Sequence, residues 1–320
     1  EVLDARGQTV RAFYSDSAQA ERMGTRRLRT KRGFHRVVWD LRGTGPRSLS
    51  ETGEVRGTCQ VFTHVGQKHP FYSYRLGTLA QHSRELQRTF RAEMLTLTTD
   101  LEGSSEVGGL FLHPQERAGG LGMLLARSRY LFIRMHRERF ADRILAELRG
   151  VFTPDGACPF WDHVAHRFFP MDFDDADRMT GSTDKQFILD LAPRHPIYVE
   201  LLPEPARAVI GKVHPQGVPA MALLESEGFR PNGLVDIFDA GPTVACPRDH
   251  IRTVRDARVL TVEIADSVDA ELPALVSTDS VAAFRAVRGR ADIHGDAVRL
   301  TPETAAALKV SAGDIVRVKS

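Results

Sequence analysis

Cysteine is scarce in this chain: three in 320 residues, at Cys59, Cys158 and Cys246. They are odd in number and far apart, which excludes a disulfide framework and a CxxC metal pair, so buried thiols are expected. An excess of charge is also missing. Lys plus Arg number 43 against 41 Asp plus Glu, a net charge of +2, so no global field draws nucleic acid or anionic lipid and any anion must be held by a local site. No apolar run approaches the roughly 18 residues of a membrane span. The first residues carry no basic, apolar and small-residue leader. The expectation is a cytoplasmic protein without membrane or nucleic-acid partners, of a size that buries a large core.

The first 49 residues differ in texture from the rest. From Arg22 to Arg36 there are seven Arg and Lys and no acidic residue, with no apolar period of two or of 3.6. No aromatic stacking platform accompanies them, so a disordered or poorly packed segment is expected rather than a nucleic-acid arm.

Folded texture starts near Glu51. A turn at Thr52-Gly53 precedes an expected strand from Gly57 to Val65, and FYSYRLGTLA and EMLTLTTDLEG read as two more. SSEVGGLFL, Ser104 to Leu112, is a strand ending at Pro114, and the pair Gly108-Gly109 inside it predicts a bulge. A helix is expected from about Leu121 to Met135, a strand from Ile144 to Leu148, and a helix in PFWDHVAHRFF with Phe160, Trp161, Val164 and Phe168 on one face. PEPARAVIGKV and GVPAMALLESEGF read as helices, the second ending at Gly228, and LVDIFD as a strand with Asp236 and Asp239 near its end. After Arg258, short alternating runs predict a small β-rich tail.

Between strand and helix lies HPQERAGGLG, from His113 to Gly122. A helix N-terminus offers unpaired amides and partial positive charge, and glycines let an anion approach the backbone. Such a turn holds phosphate. Arg117, Gly120 and Gly122 form RxxGxG, which lacks the GK[ST] of the P-loop and the spacing of the dinucleotide fingerprint.

RxxGxG behind a bulged strand, followed by an MLLARSRYLF helix, resembles the pyrophosphate-binding motif of the GNAT superfamily of acyl-CoA N-acyltransferases. ALLESEGFRPNG resembles the ending of the same half-motif, a weak second copy. The series PFYSYRLGTL, SSEVGGLFLHP, ERFADR, AELRGV, PFW, MDF, PRHPIY, VIGKVHP, LLESEGF and DIFDAGPT resembles, in order, the arginine N-succinyltransferase family. The resemblance implies transfer of succinyl from succinyl-CoA to the α-amine of L-arginine, with ornithine as a second acceptor, and needs no metal. It implies a mixed α/β GNAT-like fold, a twisted sheet splayed where CoA inserts, with a small β-rich C-terminal subdomain. The boundaries expected are 1–49, 50–257 for the acyltransferase domain and 258–320. It implies that His214 of VIGKVHP is the proton donor to the departing thiolate, a role suited to a side chain titrating near neutrality. It implies a succinyl-CoA contact at Leu110, through backbone groups pairing with the pantetheine as an added strand would. Arg117, Gly120 and Gly122 would hold the pyrophosphate.

The base for the amine stays open, with Glu106 a candidate. Asp236, Asp239, Asp172, Asp174 and Asp175 are candidates for the guanidinium, and Arg75, Lys185 and Arg194 for the carboxylates. Residues 1–49 have the expected length but not the family pattern, as an out-of-frame reading would produce. Translating the other two frames tests that: a family-like product in neither rejects it. Three functions remain in view: the succinyltransferase, an acyltransferase for another acyl-CoA or amine, and a non-catalytic CoA-binding subunit beside an active paralogue. A homo- or hetero-oligomer is expected.

Overall fold

The computed structural model describes residues 2–3, 9–11 and 56–320, apart from 68, 118, 183–185, 270–272 and 282; for 2–3, 9–11, 178 and 180–182 it describes the backbone alone. The segment expected to be disordered or out of frame, and Thr52-Gly53, otherwise lie outside the described residues. Two compact units are formed, 1–58 and 59–320. In the first, β1 (Val2–Leu3) and β2 (Thr9–Arg11) pair antiparallel.

The following strands are β3 (Gly57–Phe62), β4 (Ser73–Ser83), β5 (Arg88–Thr98) and β6 (Ser105–Leu112). Helix α1 (Leu121–Met135) leads to β7 (Arg143–Glu147). Then come α2 (Pro159–His163), α3 (Phe173–Ser182), α4 (Gln186–Leu191), β8 (Ile197–Tyr198) and α5 (Glu204–Arg207). Helix α6 (Val218–Glu227) precedes β9 (Arg230–Val235), β10 (Pro242–Pro247) and α7 (Arg252–Asp256). The large sheet has the order β3-β6-β7-β10-β9-β4-β5-β8. The tail supplies β11 (Arg258–Ile264), β12 (Pro273–Thr278), β13 (Ala286–His294), β14 (Ala297–Leu300), α8 (Pro302–Leu308) and β15 (Ile315–Lys319). Its strands close a barrel in the order β11-β14-β13-β12-β15. The expected class, a mixed sheet with helices and a small β-rich tail, is what is found.

Helix α1 packs against both the large sheet and the barrel. Tyr130 and Ile133 pack with Val107 of β6, Ile144 and Ala146 of β7 and Val244 of β10. Its other buried side, Leu124 and Leu131, packs with Leu275 of the barrel, and Phe132 meets Phe284 edge-on at 5.3 Å. Leu131 is fully buried. Truncating a leucine in such a place costs about 2–5 kcal/mol. A second apolar cluster of Trp161, Phe169 and Phe238 lies with Tyr74, Leu95 and Val235 of the sheet. Barrel residues Leu260, Val276, Val298 and Val316 form a third.

Several expected elements are shorter than the apolar pattern suggested. The first strand stops at Phe62 rather than Val65. PFWDHVAHRFF is a five-residue helix and a 3-10 turn, because the backbone breaks at Val164 (φ −124°, ψ −69°), and Phe169 is more deeply buried than Phe168. In PEPARAVIGKV only α5 is α-helical: the chain turns at Gly211 (φ +69°), whose N–H donates to Ala240 O. LVDIFD ceases to be strand at Val235, because the Asp236 carboxylate accepts the N–H of Phe238 (2.7 Å) and Asp239 (2.9 Å) in a local turn. Of the three thiols expected to be buried, Cys158 and Cys246 are, whereas Cys59 is half-buried.

Candidate active site

The site is built around one short ladder. Strands β6 and β7 run parallel, but their register extends only over Ser105 opposite Ile144 and Glu106 opposite Leu145. Past that point β6 leaves its neighbour. Gly109 has φ +56°, a region L residues avoid, and the Gly108 carbonyl turns to accept Nη1 of Arg129 at 3.2 Å. Arg129 is a buried guanidinium among the apolar residues of the helix's buried side, held also by Nε to Ala126 O at 3.1 Å. The Arg129 guanidinium thus holds the Gly108 carbonyl just past the end of the ladder. Leu110 follows on the parted stretch, half-buried, and Glu106 is half-buried with a carboxylate oxygen 3.2 Å from where a Gly108 Cβ would stand.

Beyond β6 the chain enters the glycine turn. The ring Nδ1 of His113 accepts Gln115 N–H at 3.4 Å, and Arg117 folds back so that Nε donates to Leu112 O at 3.1 Å. Gly119 and Gly120 have φ +63° and +81°, and Gly120 caps α1 by accepting Leu124 N–H. The amides of the first turn therefore lie outside the helical ladder. A Cβ at Gly119 would meet nothing within 4 Å, and one at Gly122 only Leu112 Cδ2 at 3.9 Å. The fold itself does not demand glycine at 122. A Cβ at Gly120 would instead lie 2.6 Å from Nη1 of Arg288, which donates to Gly119 O at 3.3 Å. Thus a cation from β13 of the barrel stands at the glycine turn, 169 residues away in sequence, where no local motif announces it.

The other arm lies past the end of β7. Arg149 O accepts His214 N–H at 2.8 Å, which fastens the half-buried histidine beyond the strand's C-terminus. The Arg149 guanidinium covers the Phe152 ring at 4.0 Å, and that ring lies 6.3 Å from the imidazole of His214. Partial burial, then Arg149, push the His214 pKa below its ordinary value of 6.5. Nδ1 of His214 accepts Gln216 N–H at 3.1 Å. Leu110 and His214 therefore belong to the two arms that part at the ladder, with Arg117, Gly120 and Gly122 at the far end of the first.

Asp236 and Asp239 are not free for a guanidinium. Asp239 is buried, and its oxygens accept Gly150 N–H (2.8 Å) and Gly241 N–H (2.7 Å), clamping the ends of β7 and β10. Burial, then Asp236, push its carboxyl up to about 7. A Cβ at Gly150 or Gly241 would lie 2.2 or 2.0 Å from a carbonyl oxygen, so this junction admits only glycine. Arg75 is engaged with Asp100, its Nε donating at 2.9 Å. Asp172, Asp174, Asp175 and Arg194 are exposed, and Lys185 lies outside the described residues. Arg149, Asp239, Arg129 and Arg288 were absent from the sequence-based site or placed there in another role. Only Arg129 carries a local signal, a basic residue on the helix side that its apolar spacing buries.

No group of His, Cys, Asp and Glu among the described residues is arranged to hold a metal ion, and no described helix is long and apolar enough to cross a membrane. The family model described as arginine N-succinyltransferase beta subunit matches residues 48–253, and that of its C-terminal domain residues 255–320. Relatives named arginine N-succinyltransferase from Salmonella paratyphi B and Salmonella newport are each 45% identical over 270 residues, 84% of this chain and 78% of theirs. The solved arginine/ornithine succinyltransferase subunit AI from Pseudomonas aeruginosa is 33% identical with a TM-score of 0.76, over 84% of this chain and 78% of that one.

Proposed function

This chain belongs to the arginine N-succinyltransferase family, and from that premise we propose that it moves succinyl from succinyl-CoA to the α-amine of L-arginine. The observation that carries the reading is the two-residue ladder between β6 and β7, flanked by the Arg117 to Gly122 turn on one arm and His214 on the other. The pantetheine amides pair with the released backbone around Leu110 as an added strand. The pyrophosphate rests on the first turn of α1 between Arg117, Gly120 and Gly122, and Arg288 adds a second cation. The amine nitrogen attacks the thioester carbon, the tetrahedral adduct collapses, and the thiolate leaves beside His214.

The test is arginine-dependent thiol release from succinyl-CoA, read with DTNB, beside a His214→Ala variant. Release that collapses in the variant supports the enzyme and the histidine together, and the same assay with ornithine or acetyl-CoA fixes acceptor and donor. Absence of release while CoA still binds overturns the enzymatic reading in favour of a binding subunit beside a paralogue. The words "beta subunit" and "subunit AI" carried by relatives give that second reading its support. Sedimentation of the purified chain tests self-association.

A further inference from the structure

A succinyl group ends in a carboxylate where an acetyl or butyryl group ends in methyl, so a site that selects it needs a cation close to the thioester. Of the cations that the sequence brings into view, Arg75 is tied to Asp100, Arg194 stands exposed before β8, and Lys185 lies outside the described residues. The fold offers another. Arg149 follows β7 on the arm that carries His214, and its backbone is pinned on both sides and at its own carbonyl. Leu148 N–H donates to Pro242 O (3.1 Å), Gly150 N–H to the Asp239 carboxylate (2.8 Å), and Arg149 O accepts His214 N–H (2.8 Å). The side chain therefore starts from a fixed point.

From that point the side chain runs over Phe152. The guanidinium carbon lies 4.0 Å from the centre of the Phe152 ring, the same ring lies 6.3 Å from the imidazole of His214, and Phe173 steadies it edge-on at 5.2 Å. One phenyl ring thus joins cation and histidine. Contact with an aromatic face uses none of the N–H donors of the guanidinium, which form the planar fork that grips a carboxylate with two parallel hydrogen bonds. Arg149 is exposed, so a ligand reaches it. Among the carboxylates near enough to feel its charge, Asp239 gives its oxygens to the amides of Gly150 and Gly241, and Asp177 is exposed on α3, where water screens it. The acyl chain is the part of the reactants that belongs beside His214, because the thiolate departs there and the far carboxylate of succinyl is only two methylenes from the carbonyl carbon. The acceptor, in contrast, brings a guanidinium of its own, which a second cation repels. We propose that Arg149 binds the free carboxylate of the succinyl group and so selects succinyl-CoA over acyl-CoA esters that end in methyl. This deepens the succinyltransferase reading and rests on it.

The test is titration calorimetry on the full chain, without acceptor, comparing succinyl-CoA with butyryl-CoA, which has the same carbon chain and a methyl in place of the carboxylate. Arg149→Met keeps an apolar stem and a sulfur against Phe152 and removes the donors. It is expected to raise the Kd of succinyl-CoA by about ten-fold and to leave that of butyryl-CoA within about two-fold. Equal weakening of both esters, or no change in either, overturns the proposal. If the methionine variant does not fold, Arg149→Lys decides, since lysine keeps the charge and loses the fork: succinyl-CoA should bind about three-fold more weakly and butyryl-CoA as before. An unchanged ratio of the two Kd values in that variant overturns the proposal as well. In the DTNB assay the KM of L-arginine should not move. A rise confined to L-arginine and absent with agmatine, which lacks the α-carboxylate, would put the cation on the acceptor and reject the donor role. Wild type that binds neither ester refutes the succinyl-CoA reading and this role with it, whereas wild type that binds both esters equally refutes the role of Arg149 alone.

Discussion

The two His-Pro-Gln turns, at residues 113–115 and 214–216, begin alike and are used differently, and the residues after the tripeptide make the difference. After His113 the chain spends Gly119 and Gly120 at positive φ, leaves open space at Gly119, and enters a fifteen-residue helix with a bare first turn. After His214 the turn is filled. Gly217 has an ordinary φ of −87°, a Cβ there would lie 2.9 Å from Val213 Cγ1, and Pro219 removes an amide from the first turn of α6. In the proposed reaction the first turn offers backbone to an anion and the second offers a side chain. One tripeptide thus serves two tasks because glycine or packing follows it.

Substitutions that separate the two turns sharpen this contrast. The largest effect is expected at the rings: His214→Ala lowers kcat by roughly 10²–10³-fold, while His113→Ala changes it by no more than about two-fold. Equal losses in steady-state kinetics would mean that the turns are interchangeable. Next is the clamp behind His214. Asp239→Asn leaves a buried N–H facing an amide instead of a carboxylate oxygen, and a loss of roughly 1–3 kcal/mol is expected in denaturant unfolding. An unchanged midpoint would remove the clamp from the account. Gly120→Ala forces an alanine to φ +81° beside Arg288, and succinyl-CoA KM should rise by about ten-fold, the equivalent of the ~1–2 kcal/mol cost of that conformation. Gly217→Ala should lower stability and leave that KM alone. Arg288→Ala should raise it by a smaller amount, about 0.5–1 kcal/mol in binding for an exposed charge, and weaken its salt dependence. The smallest is a pH effect. A ring held neutral by burial and Arg149 has a folded pKa below its unfolded 6.5, so its contribution is complete above 6.5 and is lost as pH falls through the depressed value. Melting curves from pH 8 to 5.5 should show wild type losing slightly more stability than His214→Gln.

Much of the scaffold was legible because it is locally encoded. Helix α1 occupies Leu121–Met135 as its glycine start and apolar spacing imply, and α6 ends at Gly228 with φ +107°. What sequence could not give were breaks caused by long-range or side-chain hydrogen bonds. Gly211 turns toward Ala240, and Asp236 caps its own backbone, so two apolar runs that read as regular elements are interrupted. For Asp239 the charge is visible in sequence, whereas its burial and its two backbone N–H donors are not. Arg288 carries no local signal, because only closure of the barrel onto α1 brings it to the glycine turn.

That closure has a consequence in time. Strand β15, residues 315–319, lies between β11 and β12: Arg258 pairs with Val318, and Leu275 with Lys319. A chain still being synthesised can complete the sheet and both histidine turns while the barrel remains open for want of β15. Domains form as they emerge, and pairings across long separations come late. The guanidinium at the glycine turn is therefore fixed only once residues 315–319 have joined the barrel, so a nascent chain that lacks them would carry both histidine turns before Arg288 is held in place.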